Sequence, residues 1–302
     1  MIQLLNICNS FNRGVKYFIL TLLFSTFCYS SQNINSFIEQ SKLYENPYWS
    51  KLLHYRNGES EIDSDNFFIS KDGKTDLKKE LFETINSLKN GKNSVLCRFP
   101  LRVEWLKKNI PNLEKEIVVY PCPKLNEYLN AVDAKYVTLV FPTAHINSPA
   151  SMYGHTFLRV SSSEDTPLVS NAINFAAKTD DTNGLIFAYK GLFGEYEGRY
   201  SILPYYEKIK EYNNLEQRDI WEYDLNLTKE EIDRLVLHSF ELKDVYSDYF
   251  FFKENCSYNI LWLLEVARDD LDLVSQFSFK TVPLDSIKIL KPYNLIKGTK
   301  FR

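Results

Sequence analysis

In 302 residues the chain holds two methionines, ten glycines and four histidines. It contains no HExxH, no CxxC, no GxSxG and no glycine-rich phosphate loop. The local signatures of zinc peptidases, thioredoxin-like redox centres, serine hydrolases and nucleotide-binding loops are therefore missing. Four scattered histidines make no convincing metal site, and no cofactor motif stands in for one. A charge excess is lacking too: 36 basic against 39 acidic residues leaves a net charge of −3. That balance argues against a nucleic-acid partner, and basic pairs such as Lys78-Lys79 and Lys107-Lys108 read as solvated faces. There is no internal repeat and no low-complexity segment. Beyond the first thirty residues no apolar run approaches the roughly 20 residues needed to cross a bilayer.

Hydrophobic residues make up 44% of the chain and aromatics 15%, enough for a sizeable core in one large domain or two small ones. The N-terminus is directive. Arg13 and Lys16 precede the apolar run Tyr17–Ser30, "YFILTLLFSTFCYS". A basic n-region, a short apolar stretch and small residues at Cys28 and Ser30 describe a signal peptide over residues 1–30, cleaved near Ser30. The alternative is an uncleaved anchor. Either places the remainder outside the cytoplasm. Of five cysteines, Cys8 and Cys28 lie in this targeting stretch, leaving Cys97, Cys122 and Cys256. Three thiols in an oxidising compartment suggest one pair and one free group. Cys97 in "LCRFPLR" and Cys122 in "YPCPKL" are close in sequence and are expected to pair. Cys256 is left over.

Residues 31–131 read as a mostly helical region packed on the core. "KTDLKKELFETINSLKNG" is its clearest helix, with Leu77, Leu81, Ile85 and Leu88 at helical spacing. Residues 132–302 begin with strands: "YVTLVFPTA", "HTFLRVSSS", "LVSNAINFAA", "GLIFAYKGLFG", "GRYSILPYY" and "WEYDLNL". The last alternates, putting Trp221, Tyr223, Leu225 and Leu227 on one face. Thr228 and Glu231 form a capping box that opens a helix, and "CSYNILWLLEVARDDL" is the final strong helix. Helices, then strands, then helices give an α+β fold.

Asn255 is a good N-cap, which makes Cys256 the first helical residue. Free backbone N–H groups and the positive end of the helix dipole favour a thiolate there. A buried filler fits the position as well; a nucleophile needs a base. His54 and His238 sit inside helical patterns and read as structural. His145 lies in a loop. His155 opens an alternating strand directly after Gly154, a rigid mount, and is the preferred partner, with His145 in reserve. The carboxylates Glu216, Asp219, Glu222 and Asp224 read as structural partners for Arg218.

Histidine on a strand and, later, cysteine on a helix resemble a circularly permuted papain-like fold. The Asn-Cys pair at a helix start is similar to the lecithin retinol acyltransferase branch. More closely, the chain resembles the Lnb N-terminal periplasmic domain family. The likeness rests on "CRFPLR", "LVFPTAHINSPASMYGHTFLRV", "NAINFAA", "GLFGEYEGRYSILPYYEKIKEYNNLEQRDIWEYDLNL" and "FFKENCSYNILWLLEVAR", in that order. It departs from the pattern at Glu195 and Glu197, where glycine and proline are expected. The resemblance implies a bacterial envelope acyltransferase of lipoproteins with His155 and Cys256 as its dyad. An acyl chain would pass from a phospholipid through a Cys256 thioester to the N-terminal amine of a diacylglyceryl-cysteine lipoprotein. Asn174 is the expected orienting group for the imidazole, and Asn255 or Tyr153 supports the oxyanion. Contact with the membrane would be peripheral, through aromatics in "GLFGEY" or "YFFF", the latter reading first as core because it leads directly into the Cys256 helix. A cysteine hydrolase of cell-wall peptides, a non-catalytic envelope binding module and a structural assembly factor remain as alternatives.

Overall fold

The computed structural model describes residues 34–143, 154–163, 169–179, 181, 183–215, 218–277 and 280–301, with the side chains of 213–215 left aside. The signal segment, His145 and Tyr153 lie outside the described residues. Residues 1–42 form one unit, whose described part is helix α1 (Ile34–Ser41); residues 43–302 form the other.

The second unit opens with helices, as the apolar spacing requires. Asn46 caps α2 (Pro47–Leu52) by accepting from the Tyr48 N–H, with proline at its first position. A two-stranded hairpin follows, β1 (Tyr55–Arg56) and β2 (Glu59–Ser60). Then come α3 (Leu77–Lys89), α4 (Asn93–Arg98), α5 (Pro100–Asn109), α6 (Leu113–Glu116) and α7 (Pro123–Val132). Leu81, Ile85 and Leu88 form the buried face of α3. Cys97 and Cys122 form a disulfide, joining α4 to the start of α7 with Cα atoms 5.3 Å apart.

The sheet that carries the site has seven strands: β3 (Tyr136–Pro142), β4 (Phe157–Ser161), β5 (Asn171–Lys178), β6 (Tyr196–Pro204), β7 (Ile220–Leu225), β8 (Tyr246–Tyr249) and β9 (Ile296–Phe301). Their spatial order is β8-β6-β5-β4-β3-β7-β9, and every neighbouring pair is antiparallel. All five residues of β4, at the centre, are buried. Buried on both faces, the strand carries Arg159 inward, where its guanidinium meets Thr138 Oγ1 at 2.9 Å.

Two expectations are corrected here. "GLIFAYKGLF" is a helix, α8 (Gly184–Phe193), rather than a strand. Asn183 caps it by accepting from the N–H groups of Leu185 and Ile186, and Gly194 ends it at φ +76°. Those punctuating residues outweigh the β-like composition. In β7 the buried residues are Ile220, Glu222 and Leu225, and Trp221 faces out. Glu222 is drawn inward by the Tyr205 hydroxyl, 2.5 Å away, and a register shift between Asp224 and Leu225 swaps the pattern at the strand end. Arg218 donates to the carbonyls of Thr143 and Pro142, and Glu216, one of the carboxylates named for it, lies outside the described residues.

A short helix α9 (Tyr205–Ile209) leads from β6 toward β7, and α10 (Lys229–Glu241) opens with the full Thr228–Glu231 capping box. The helix α11 (Cys256–Ala267) is buried at all twelve positions and packs on β4 and β5. A helix covered all round must satisfy its polar side chains internally. Ser257 donates to Thr156 Oγ1 at 2.9 Å, Asn259 donates to the Asn255 carbonyl, and Glu265 accepts the N–H groups of Leu273 and Val274. A last helix, α12 (Pro283–Lys288), leads to β9.

Candidate active site

Three elements converge on the start of α11. The backbone turns into β4 through Gly154, at φ +86°; a Cβ there would stand 2.7 Å from the Phe141 ring. Only glycine allows that approach, and it sets His155 at the strand entrance, with its N–H 3.3 Å from the Pro142 carbonyl. The neighbouring strand β5 contributes Asn174, which is buried. His155 Nε2 lies 2.6 Å from Asn174 Oδ1. An amide oxygen only accepts, so Nε2 carries the proton and Nδ1 is the nitrogen left for the thiol. The rings of Phe157 and Tyr212 flank the imidazole.

Asn255 fixes the third element. Its Oδ1 accepts from the Tyr258 N–H at 3.2 Å, and its Nδ2 donates to the carbonyls of Phe251 (3.0 Å) and Thr281 (2.7 Å). The amide is thus committed to capping α11 and tying in the chain on either side of it. Cys256 is a free cysteine, 4% exposed.

A buried thiol with no other influence becomes a weaker acid. Here burial does push Cys256 up, yet the nearby His155 charge, hydrogen bonding with His155, the Thr156 N–H and the Ser257 hydroxyl outweigh it and bring the thiol to about 7. Burial likewise pushes His155 down, but the Cys256 thiolate and hydrogen bonds to Cys256 and Asn174 raise it above the ordinary value. The two shifts have one cause, the thiolate–imidazolium pair. Tyr249, at the end of β8, interacts with both the backbone N–H and the sulfur of Cys256; burial and the thiolate charge hold its hydroxyl well above the usual tyrosine range, so it stays a donor.

Cys256, His155 and Asn174, singled out from the sequence, are therefore brought together. His54 and His238 are not part of this site; they meet each other at 2.9 Å, wholly buried. Three contributors were not anticipated. Thr156 and Ser257 follow the two reactive residues directly, and their part depends on a cross-element bond that spacing does not reveal. Tyr249 lay inside "YFFF", where four aromatics in a row look like core.

A family model for the Lnb N-terminal periplasmic domain matches residues 124–293, more than half of the chain. The chain belongs to that family. The matched stretch of this Lnb domain contains His155, Asn174, Tyr249 and Cys256. Residues 41–109 match a second model, a domain of unknown function (DUF7843). No curated protein and no solved structure matches the chain. Periplasmic family membership and the Cys97–Cys122 disulfide mark an exported, envelope-associated protein.

Proposed function

We propose that this Lnb domain is a thiol acyltransferase of the cell envelope, using Cys256 as nucleophile, His155 as acid–base group and Asn174 as its orienting partner. The observation that carries the reading is the paired displacement of two buried groups: the thiol drawn down to about 7 and the imidazole raised, with Asn174 fixing the ring. Histidine at the entrance to a sheet strand and cysteine at the start of a later helix support reading the domain as a permuted papain-like core.

In the first half-reaction the Cys256 thiolate attacks an ester carbonyl of a phospholipid. The Cys256 N–H, with the Tyr249 hydroxyl beside it, is positioned to receive the oxyanion. The C–O bond to the glycerol backbone breaks, the leaving alkoxide takes the proton from imidazolium His155, and an acyl thioester remains. In the second, the α-amine of a diacylglyceryl-cysteine lipoprotein attacks the thioester and gives its proton to His155. The C–S bond breaks and an amide is released. One difficult transfer becomes two easier ones. A hydrolase would use the same groups with water as acceptor. The low exposure of Cys256 favours transfer, because a covered thioester is shielded from water.

The test incubates the protein with a diacylated lipoprotein and phospholipid vesicles, then reads the lipoprotein N-terminus by mass spectrometry. A gained acyl chain, lost in Cys256→Ala, is the expected result. Full activity in Cys256→Ala ends the thiol mechanism. Cleavage of cell-wall peptides with no amine acylation replaces transfer with hydrolysis.

A further inference from the structure

Helix α8 is built inside out. Leu185, Ile186, Tyr189, Leu192 and Phe193 recur at the i, i+1, i+4, i+7, i+8 spacing of an amphipathic helix, covering about 120° of arc. In a surface helix that stripe normally faces the core. Here all five are exposed, Leu185 by 84% and Phe193 by 63%. The opposite side is the one that packs. The Phe251 ring lies against Gly191, where a Cβ would stand 2.2 Å from it, and Phe187 meets Phe251 and Tyr196. Neither side is available to exchange roles, since Gly191 is required under Phe251.

We propose that α8 is a membrane-docking helix that lies in the interface of an anionic phospholipid bilayer and brings the Cys256 site to the lipid. This rests on the lipid acyl-transfer reading of the site. Two observations favour lipid over a protein partner. The first is continuity with the site. The Phe251 N–H donates to the Gly191 carbonyl at 2.8 Å, and the Phe251 carbonyl accepts from Asn255 Nδ2 at 3.0 Å. One residue, Phe251, thus joins the helix to the cap of Cys256. The second is charge. Lys190, paired with Asp181 at 2.9 Å, flanks the apolar arc on the helix itself. Exposed Lys253 lies between Phe251 and the Cys256 helix, and exposed Lys280 precedes Thr281, whose N–H donates to the Phe252 carbonyl at 2.7 Å; Lys280 Nζ sits 5.7 Å from the Phe252 ring centre. An apolar stripe with an ammonium group on its own helix and others on the adjoining chain matches an acyl layer under phospholipid headgroups. Among the described residues no helix is long and apolar enough to cross a membrane.

The test is flotation of the full chain with vesicles of phosphatidylcholine alone and of phosphatidylcholine with phosphatidylglycerol. Wild type is expected to float with the anionic vesicles, less so as salt rises. Leu185→Glu and Phe193→Glu, at exposed positions outside the packed side, should each lower the vesicle-bound ratio by about tenfold or more. Both should leave the iodoacetamide reactivity of Cys256 at wild-type rate, which reports an intact site. Cys256→Ala should float as wild type does. Equal flotation of wild type and both glutamate variants overturns the proposal, as does absence of flotation at either composition. If the stripe instead mediates self-association, sedimentation shows a dimer that Leu185→Glu dissociates while vesicles are ignored, and the proposal fails. Flotation through α8 with no acyl transfer leaves docking standing and removes the acyltransferase reading; transfer from detergent-dispersed lipid without flotation does the reverse.

Discussion

Replacing His155 with alanine should move the Cys256 thiol in a direction opposite to its present shift. The thiol stands at about 7 against an ordinary 9.0, and burial alone would place it above the ordinary value. The pull downward comes first from the His155 charge and its hydrogen bonding, with smaller help from the Thr156 N–H and Ser257. Without the imidazole the thiol returns to near or above 9.0. At pH 6 a thiol of pKa about 7 is about one-tenth thiolate, and one of pKa about 9 about one-thousandth, a hundredfold difference. A thiolate of higher pKa is intrinsically more reactive, by about eightfold for two units at a Brønsted slope near 0.45. The alkylation rate at pH 6 should therefore fall by about tenfold, and the midpoint of its pH profile should move from about 7 to about 9. The assay is iodoacetamide alkylation from pH 5 to 10, followed by mass spectrometry of the Cys256 peptide. Acyl transfer by the wild type should lose its activity as pH falls through about 7, where the thiolate takes up a proton. A wild-type midpoint at 8.5 or higher, or one that His155→Ala leaves unmoved, refutes the ion-pair reasoning.

Asn174→Ala removes the 2.6 Å partner of His155 Nε2 and should lower transfer by ~10–100-fold, with the thiol midpoint rising by less than in His155→Ala; an unchanged rate would remove Asn174 from the site. Reduction of the Cys97–Cys122 bridge, 25 residues apart, should cost about 3 kcal/mol in urea unfolding, and peptide mapping of the unreduced protein should find only Cys256 free among the mature cysteines. His238→Ala strands His54 and Glu241 in the interior and should destabilise by about 2–3 kcal/mol, while the alkylation profile of Cys256 in the folded protein stays put. Glu61→Gln weakens the acceptor of both Tyr258 and Trp262 and should lower the urea midpoint by an amount worth about 1–2 kcal/mol; no change would mean that α11 is held without it.

Strands β3 to β7, the main helices and the cysteine pair were legible because each rests on local signals: two-residue alternation, helical spacing, capping residues and proximity of thiols along the chain; the edge strands β8 and β9 were not anticipated. Cys256, His155 and Asn174 could be named for the same reason, since a capped helix start, a glycine-mounted strand and a polar residue in the next strand are local features. Tyr249 could not, because its value comes from β8, an unanticipated edge strand, ending beside the start of α11, and the short run between them carries no signal of that turn. Helix α8 misled because composition and punctuation disagreed: "GLIFAYKGLF" has strand-like residues, while Asn183 and Gly194 mark helix ends. Its exposed stripe also defeats the usual inference from apolar spacing to burial, and such failures are expected where a surface has work to do with something outside the chain. In β7 a buried carboxylate, Glu222, displaced the apolar face because Tyr205 needed an acceptor.

The region matched by the domain of unknown function is as much a mount for the thiol as the Lnb domain itself. Glu61 accepts the hydroxyl of Tyr258 at 2.7 Å and the indole N–H of Trp262 at 2.7 Å, gripping the first two turns of the Cys256 helix on one side. The Tyr48 hydroxyl donates to the Val266 carbonyl at 2.7 Å, at the other end. His54 stacks on Trp262 and meets His238, whose second nitrogen lies 2.9 Å from Glu241. Glu241 also accepts the Arg102 N–H, and Arg102 pairs with Glu80 at 3.1 Å. Burial pushes Glu241 up to about 7 and His238 down to about 3, so the pair is most comfortable with the histidine neutral. A chain of buried, bonded polar groups tolerates little displacement, because each broken link leaves a partner without solvent. The start of α11 is therefore fixed from two directions, by the sheet beneath it and by this network beside it. A thiol whose acidity depends on the placement of one imidazole requires that rigidity. On this reasoning the two matched regions, both within residues 43–302, cannot be separated without loosening the Cys256–His155 contact.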